Sequence, residues 1–311
     1  MNKIPPKYYA KILLFGEYTL ISGYRALIIP FSQFSGRLEF NRSYSCEHIT
    51  SGESLKKYYD YLFNQIQNYP DGLELDLGKF NTDLGNGLYL DSDIPQGYGV
   101  GSSGVLVASV YKTYAKNPLL PEHGTNLVVL KRYFSFMESF FHGRSSGLDP
   151  LSCYVQRPLL VSSPNRIEIV NFPSEKNDKT YDIFLLDTGQ TSKTEGLVQL
   201  FLNKTKNRHY RKVLVNEIIP RINICIDSIL DGKIQNFIKE VFLLSALQLK
   251  YFPEMIPENF RNTWESGIIS GDFSLKLCGS GGGGFILGFT TDFGKVQEFF
   301  TGKGKKVLHV Y

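Results

Sequence analysis

The stretch "IPQGYGVGSSGVLVASVY", residues 94–111, is the starting point for the fold class of this chain. Four glycines surround the pair Ser102 and Ser103, and an apolar run typical of a helix follows them. The first turn of a helix leaves backbone N–H groups unpaired, and the helix dipole adds partial positive charge there. Glycine lets the backbone approach an anion closely, so this segment suits the phosphates of a nucleotide.

The loop does not fit either of the two best-known phosphate-binding patterns. A GxxxxGK[ST] loop needs a lysine near Ser102, and this sequence has none there. The dinucleotide pattern GxGxxG is broken because Ser102 stands where the third glycine would be. By itself the loop is equally consistent with a tight connection between a strand and a helix, so residues elsewhere in the chain must decide.

Length and composition indicate an ordinary globular protein. With 311 residues, 42% hydrophobic and 21% charged, the chain is long enough for two domains. The net charge of +4 is spread out, and the densest basic stretch, residues 203–212, is typical of a solvated face. No membrane span or signal peptide is evident, and four distant cysteines suggest a reducing compartment. We therefore expect a cytoplasmic monomer or homodimer without nucleic-acid or membrane partners.

Apolar periodicity predicts strands and helices in the first half of the chain. Residues 72–77 and 87–93 are expected to form a hairpin, and Ser54 is expected to cap a helix. The last predicted helix opens with Asp149, followed by Pro150 at its first position. The other predicted strands are 10–18, 25–31, 36–43, 157–163 and 166–172, and the predicted helices are 54–68, 105–115, 122–141 and 148–156.

The second half mixes one strand, a group of helices and a final hairpin. The charged segment 174–179 is the best linker candidate, which puts a domain boundary within residues 165–180. A run of four glycines, 281–284, interrupts two apolar strands, and consecutive glycines at such a turn indicate close approach. The predicted elements are a strand at 181–189, three or four helices within 194–270, a hairpin at 273–289, a helix at 292–301 and a strand at 305–311.

Two further segments carry chemistry-bearing residues. Lys11 and Glu17 lie in the strand-and-turn segment "AKILLFGEYTLISG", and Glu138 and Asp149 lie in "MESFFHGRSSGLDP". Lys11 could also be an edge-strand lysine in solvent, and each carboxylate could be a solvated group or a helix cap.

The three segments "KILLFGEY", "IPQGYGVGSSG" and "LCGSGGGGF" resemble the three motifs of the GHMP small-molecule kinases, in the same order. The resemblance spans residues 11–285, and the family includes galactokinase, homoserine kinase, mevalonate kinase and phosphomevalonate kinase. It implies an α+β fold of two domains, 1–170 and 171–311. The first would be ribosomal-S5-like and the second a ferredoxin-like α/β sandwich, with the active site in the cleft between them.

Within that family, the acid pair Glu138 and Asp149 in "ME…HGRSSGLD" and the stretch 185–198, "LLDTGQTSKTEGLV", are similar to mevalonate kinases. Two residues depart from that pattern: Tyr18 stands where a histidine is usual, and Gly104 follows the serine pair in place of alanine. Both departures resemble phosphomevalonate kinases. Phosphorylation of mevalonate to 5-phosphomevalonate is the activity implied first. Phosphomevalonate kinase, another sugar or amino-acid kinase and a non-catalytic sensor are the alternatives.

The resemblance also implies a role for individual residues, with ATP and Mg²⁺ as cofactors and a small hydroxy acid or sugar as substrate. Asp149 would accept the proton of the substrate hydroxyl, and Lys11 would keep Asp149 ionised. Ser103 and Glu138 would bind Mg²⁺, which prefers oxygen ligands. The implied nucleotide-binding residues are Gly97, Gly99, Val100, Gly101, Ser102, Ser103 and Gly104. The implied substrate-binding residues are Glu17, Tyr18, Thr191 or Thr194, Gly281 and Gly282.

Overall fold

The computed structural model describes residues 6–40, 46–122, 124–173, 181–192 and 194–311, with the side chains of 46–49, 124 and 194–195 left out. The strands are β1 (Tyr8–Phe15), β2 (Ala26–Phe40), β3 (Leu88–Ser92), β4 (Leu159–Ser163), β5 (Arg166–Ile169), β6 (Asp182–Asp187), β7 (Phe273–Leu277), β8 (Phe285–Thr290) and β9 (Val307–His309). The helices are α1 (Cys46–Asn64), α2 (Leu77–Gly85), α3 (Ser102–Tyr114), α4 (Gly124–His142), α5 (Leu148–Val155), α6 (Thr194–Lys204), α7 (Arg208–Val213), α8 (Ile219–Leu230), α9 (Ile234–Tyr251), α10 (Glu258–Ser270) and α11 (Phe293–Thr301).

The first sheet is organised around the long strand β2. It pairs antiparallel with β1 and with β3, and its first residues also pair with β4, which in turn pairs with β5. Helices α3 and α5 pack against each other and against β1 and β2. The inward residues of β1, among them Ala10, Ile12 and Leu14, are fully buried, which is the alternation expected of a strand with one face in the core.

The second sheet has the order β7-β8-β6-β9, and every pair in it is antiparallel. Its chain order of strand, helices, two strands, helix and strand is that of a ferredoxin-like α/β sandwich. Helices α9 and α10 pack on β7. The fold class predicted from the sequence is thereby confirmed.

An aromatic contact joins the two sheets. The ring of Phe15, at the end of β1, lies 6.0 Å from the rings of both Phe237 on α9 and Phe289 on β8. Because all three rings are buried, the end of β1 is fixed against the second sheet. In the sequence, every strand of the first sheet comes before residue 170, and every strand of the second sheet comes after residue 181. The division into domains 1–170 and 171–311 stays a prediction, and the predicted linker 174–179 falls outside the described residues.

Three local predictions in the first half were wrong. Residues 25–31 and 36–43 are not separate strands, because β2 runs through both. Residues 72–77 do not form a hairpin with 87–93: the Asp76 side chain caps α2 by accepting a hydrogen bond from Lys79 N, and β3 pairs with β2 instead. Helix α1 begins at Cys46, and Ser54 lies inside it, where its hydroxyl donates to the Thr50 carbonyl.

The helices of the second half agree with the prediction. Between residues 194 and 270 the described residues form one short 3-10 turn, Pro253–Met255, and four α-helical segments, since α7 and α8 are joined by a π-helical turn, Leu214–Ile218. Pro220 lies just after this turn, and its missing N–H explains why the regular hydrogen-bond pattern widens there. No helix among the described residues is long and apolar enough to cross a membrane.

Candidate active site

A buried lysine and a helix-borne aspartate form the centre of the site. Lys11 Nζ lies 2.8 Å from Asp149 Oδ2 and donates to the Gly99 carbonyl at 3.0 Å. Burial works to lower the pKa of Lys11, but the charge and hydrogen bond of Asp149 outweigh it, and the pKa is raised. Lys11 is therefore a fixed cation at neutral pH. The Asp149 side chain is 40% exposed, so its carboxylate keeps one side open to a ligand.

The start of α5 presents Asp149 to the lysine. Gly147 caps this helix at φ 72°, and Leu148 is its first residue. Asp149 and Pro150 therefore occupy its second and third positions, and the helix begins two residues earlier than a start at Pro150 predicts. Proline is tolerated there because the first N–H groups of a helix have no partner within it.

The glycine loop turns its carbonyls toward the protein and leaves its N–H groups unpaired. Gly97, Gly99 and Gly101 have φ values of 75°, 74° and 91°, which only glycine adopts without strain. The Gly97 carbonyl accepts from Ser192 N at 3.0 Å, and the Val100 carbonyl accepts from Lys11 N at 2.9 Å. Within the described residues, the N–H groups from residue 99 to residue 103 have no acceptor. Adjacent free N–H groups at a helix start are a ready anion site.

Two glycines of the loop are needed for packing. A Cβ on Gly104 would lie 2.9 Å from the backbone carbon of Asp149 and 3.0 Å from Pro150 N. A Cβ on Gly101 would lie 3.0 Å from Lys11 Cγ. The missing side chain of Gly104 lets α3 approach the backbone of Asp149, and its assignment as a nucleotide-binding residue stays a prediction. Val100 is likewise buried, with its side chain in the core.

Glu138 is a buried carboxylate beside this loop. Ser103 Oγ donates to Glu138 Oε1 at 2.9 Å, and the Ser145 hydroxyl donates to Glu138 Oε2. His142 Nε2 lies 3.4 Å from the same Ser103 hydroxyl. Burial, and next the charge of Asp149, raise the pKa of Glu138 to about 7, although the two serine hydroxyls oppose the shift. A cation close to Glu138 would stabilise the ionised form of this buried carboxylate.

The donor set suits Mg²⁺ held together with a nucleotide. Within the described residues, no group of three or more His, Cys, Asp or Glu side chains could hold a metal by itself. Mg²⁺ is usually bound through one or two carboxylates plus substrate phosphates. Ser103 and Glu138 supply such oxygens directly at the start of α3, next to the free N–H groups, so the residues fit this ion.

A cavity of about 1000 Å³ opens next to the glycine loop. Its floor is formed by Gly97, Ser102 and Ser103, and its polar rim includes Lys57, Asp91 and Gln96. The apolar part of its wall consists of Leu90, Ile94, Leu106, Phe140 and Phe141. Sequence reasoning missed this wall, since these residues come from β3, the loop after it, α3 and the end of α4 and look individually like core positions.

The residues predicted for the substrate are less open than expected. Glu17 forms an ion pair with Lys276, both side chains being 1% exposed, so its carboxylate does not face a ligand in this structure. Tyr18 has a φ of 63°, and its hydroxyl donates to the Ser280 carbonyl. Its ring packs against two buried phenylalanines. Thr191 is exposed beside Gly97, whereas the side chain of Thr194 lies outside the described residues.

The four-glycine run is explained by contacts within the protein. A Cβ on Gly281 would lie 2.3 Å from the Met255 carbonyl oxygen, and one on Gly282 would lie 2.5 Å from Leu197 Cδ1. A Cβ on Gly284 would lie 2.7 Å from Tyr98 Cα in the other glycine loop. Protein atoms by themselves therefore account for the need for glycine at these positions, and the assignment of Gly281 and Gly282 to the substrate site stays a prediction.

Comparisons with known proteins support the same fold. No protein-family model matches the sequence, and no curated protein matches it. Solved structures of GHMP kinases, in contrast, match it over nearly its full length, so the chain has the GHMP kinase fold.

Three of these structures illustrate the range of the match. L. major mevalonate kinase in complex with R-mevalonate is 16% identical, with a TM-score of 0.66 and coverage of 99% of this chain and 95% of that one. Streptococcus pneumoniae phosphomevalonate kinase, in complex with phosphomevalonate and AMPPNP, is 17% identical, with a TM-score of 0.64 and coverage of 98% and 99%. Lactococcus lactis galactokinase complexed with galactose is 15% identical, with a TM-score of 0.67 and coverage of 97% and 92%.

Proposed function

We propose that this protein is an ATP- and Mg²⁺-dependent kinase that phosphorylates a hydroxyl group of a small metabolite, with mevalonate as the first candidate. The observation that carries the proposal is the ion pair of Lys11 with the half-open Asp149, beside a glycine loop with free N–H groups. A non-catalytic sensor would not need this pair next to the acid Glu138.

Phosphoryl transfer depends mainly on positioning and on charge stabilisation. In the proposed mechanism the open side of Asp149 accepts the proton of the acceptor hydroxyl. Lys11 pairs with Asp149 and stabilises the developing alkoxide. The free N–H groups of residues 99–103 hold the β- and γ-phosphates, and Ser103 and Glu138 hold Mg²⁺. When bound, Mg²⁺ neutralises charge on the phosphates.

The cavity supports the assignment of the nucleotide side. Its apolar wall suits a flat base, and its floor at Ser102 and Ser103 directs a triphosphate toward the start of α3. The complex of Streptococcus pneumoniae phosphomevalonate kinase, which has the same fold, contains AMPPNP.

Charge around the acceptor side favours a substrate without a phosphate. Lys276 is neutralised by Glu17, and Lys11 is paired with Asp149. Among the described residues of the loop before Asp149, Arg144 is the exposed arginine, and one guanidinium suffices for a single carboxylate. Mevalonate fits this pattern, whereas phosphomevalonate would bring additional charge.

The test is an ADP-release assay with mevalonate, phosphomevalonate, galactose and homoserine, each at saturating ATP and Mg²⁺. We expect release with mevalonate and its loss in Asp149→Asn. Equal ADP release by wild type and Asp149→Asn would contradict the proposed mechanism. No acceptor-dependent release with any of the four compounds would contradict the proposed substrate class.

A further inference from the structure

Ser145 links the acid Glu138 to the segment that carries Asp149. Its hydroxyl donates to Glu138 Oε2 and accepts a hydrogen bond from Gly147 N at 2.9 Å. Gly147 is the cap of α5, and Asp149 follows two residues later. One side chain therefore contacts both the proposed metal ligand and the start of the helix that presents the proposed base.

The loop around Ser145 is held tightly against α4. Ser135 Oγ donates to the Ser145 carbonyl at 2.6 Å. A Cβ on Gly147 would lie 2.1 Å from the Lys131 carbonyl oxygen and 2.6 Å from Ser135 N, so the loop backbone lies directly on the helix. Since the backbone of Ser145 is fixed in this way, its hydroxyl holds Glu138 from a rigid position.

The two carboxylate oxygens of Glu138 accept hydrogen bonds from two different parts of the chain. Ser103 on α3 donates to Oε1, and Ser145 donates to Oε2. Ser103 is also a proposed metal ligand, whereas the Ser145 hydroxyl contacts the carboxylate and Gly147 N. Hydrogen bonds from such outer groups fix the orientation of a ligand, and their loss typically weakens metal binding about 10- to 100-fold.

We propose that Ser145 is a positioning residue for the Mg²⁺–nucleotide complex, acting through the orientation of Glu138. This inference rests on the proposed function, because it takes Glu138 as a metal ligand. The serine hydroxyl is the essential group: a side chain of similar size without a good donor leaves Glu138 free to rotate away from Ser103.

The test measures binding of Mn²⁺, used as a probe for Mg²⁺, by electron paramagnetic resonance in the presence of ATP. We expect Ser145→Ala to weaken Mn²⁺ binding about 10-fold or more. Ser145→Thr, which keeps the hydroxyl, restores binding. Ser139→Ala is the matched control, because Ser139 lies next to Glu138 on α4 and donates only to the Ser135 carbonyl. In an activity assay, the Mg²⁺ concentration at half-maximal rate rises with little change in the KM of the acceptor.

Three results would overturn the inference. Unchanged Mn²⁺ binding in Ser145→Ala, with wild-type binding intact, refutes the role of Ser145 while leaving the proposed function standing. Equal loss in the alanine and threonine variants shows that loop packing, not the hydroxyl, matters. Absence of Mn²⁺–ATP binding in the wild type refutes the proposed function and this inference together. If Ser145→Ala does not fold, Ser145→Cys makes the same comparison, since a thiol is a weak donor.

Discussion

Lys11 Nζ and Asp149 Oδ2 are 2.8 Å apart, although one residue lies on the first strand and the other on the fifth helix. The lysine is buried and also donates to the Gly99 carbonyl, which ties the pair to the glycine loop. The strand, the loop and the helix thus meet at one ion pair.

Replacing Asp149 by Asn removes the proposed base while keeping the shape of the side chain. We expect kcat to fall about 10²- to 10⁴-fold, the usual contribution of general base catalysis. ATP affinity should change little, because the loop N–H groups remain. Steady-state kinetics and nucleotide binding measure the two effects. Asp231→Asn, which alters an exposed surface pair, serves as control. Near-normal kcat in Asp149→Asn would rule out the base.

Replacing Lys11 by Met should lower kcat more than it raises the KM of ATP. The variant loses the cation beside Asp149 and the hydrogen bond to the Gly99 carbonyl. Lys11→Arg should not restore activity, since a guanidinium is too large for a buried site packed against Gly101. Lys79→Met at an exposed helix position is the control. A lysine variant that changes only KM would contradict the assigned role.

The pKa of Glu138, raised to about 7, predicts a pH-dependent metal affinity. Protons compete with Mg²⁺ for this carboxylate, so affinity should rise between pH 6 and pH 8 in a titration with ATP present. The free energy of unfolding should instead fall as the pH rises. A carboxyl whose folded pKa exceeds its unfolded value favours the folded state at low pH, and this contribution is lost as pH rises from about 4.5 through 7.

Glu138→Gln is the control for both effects. The variant cannot titrate at this position, so its metal affinity and its Tm should vary less with pH over the same range. If wild type and Glu138→Gln showed the same pH profiles, the shifts would have to arise from another group.

Gly104→Ala tests the close contact between α3 and α5. The new methyl group would overlap the backbone of Asp149 and Pro150, so we expect a loss of about 1–3 kcal/mol in the free energy of unfolding. Activity should also fall, because the strain moves Asp149. Gly85→Ala at an exposed, open position of α2 should be neutral or slightly stabilising. Denaturant unfolding distinguishes the two variants, and equal stability would refute the packing role of Gly104.

Removal of only one partner of the buried pair Glu17 and Lys276 should lower the free energy of unfolding. Lys276→Met leaves a carboxylate buried, and one of its oxygens, Oε2, already has no partner within the described residues. We expect a loss of about 3–5 kcal/mol. The double variant Glu17→Leu with Lys276→Met should regain most of that loss. A double-mutant cycle measured by urea unfolding checks this, and purely additive losses would argue against a coupled pair.

Much of the site was accessible from the sequence because its residues lie in short local motifs. The glycine loop, Lys11, Glu138 and Asp149 each lie in such a segment, and the resemblance of three segments to GHMP kinase motifs implied the α+β class. Predictions from the local pattern failed at the beginnings of two helices. Residues 72–77 alternate like a strand, yet the Asp76 cap begins a helix there. Ser54 has the chemistry of a cap, yet α1 continues through it.

The sequence by itself determined which groups could do chemistry: a loop that only glycine allows, a lysine and two acids. The tertiary structure alone decided which of them meet. Both ion pairs join a lysine to a carboxylate. The pair of Lys11 and Asp149 keeps its carboxylate partly exposed, whereas the pair of Glu17 and Lys276 is fully buried. The tertiary structure also decided which protein atoms Gly104 and the 281–284 run pack against, since the atoms that come within about 3 Å of a missing Cβ lie far away in the chain.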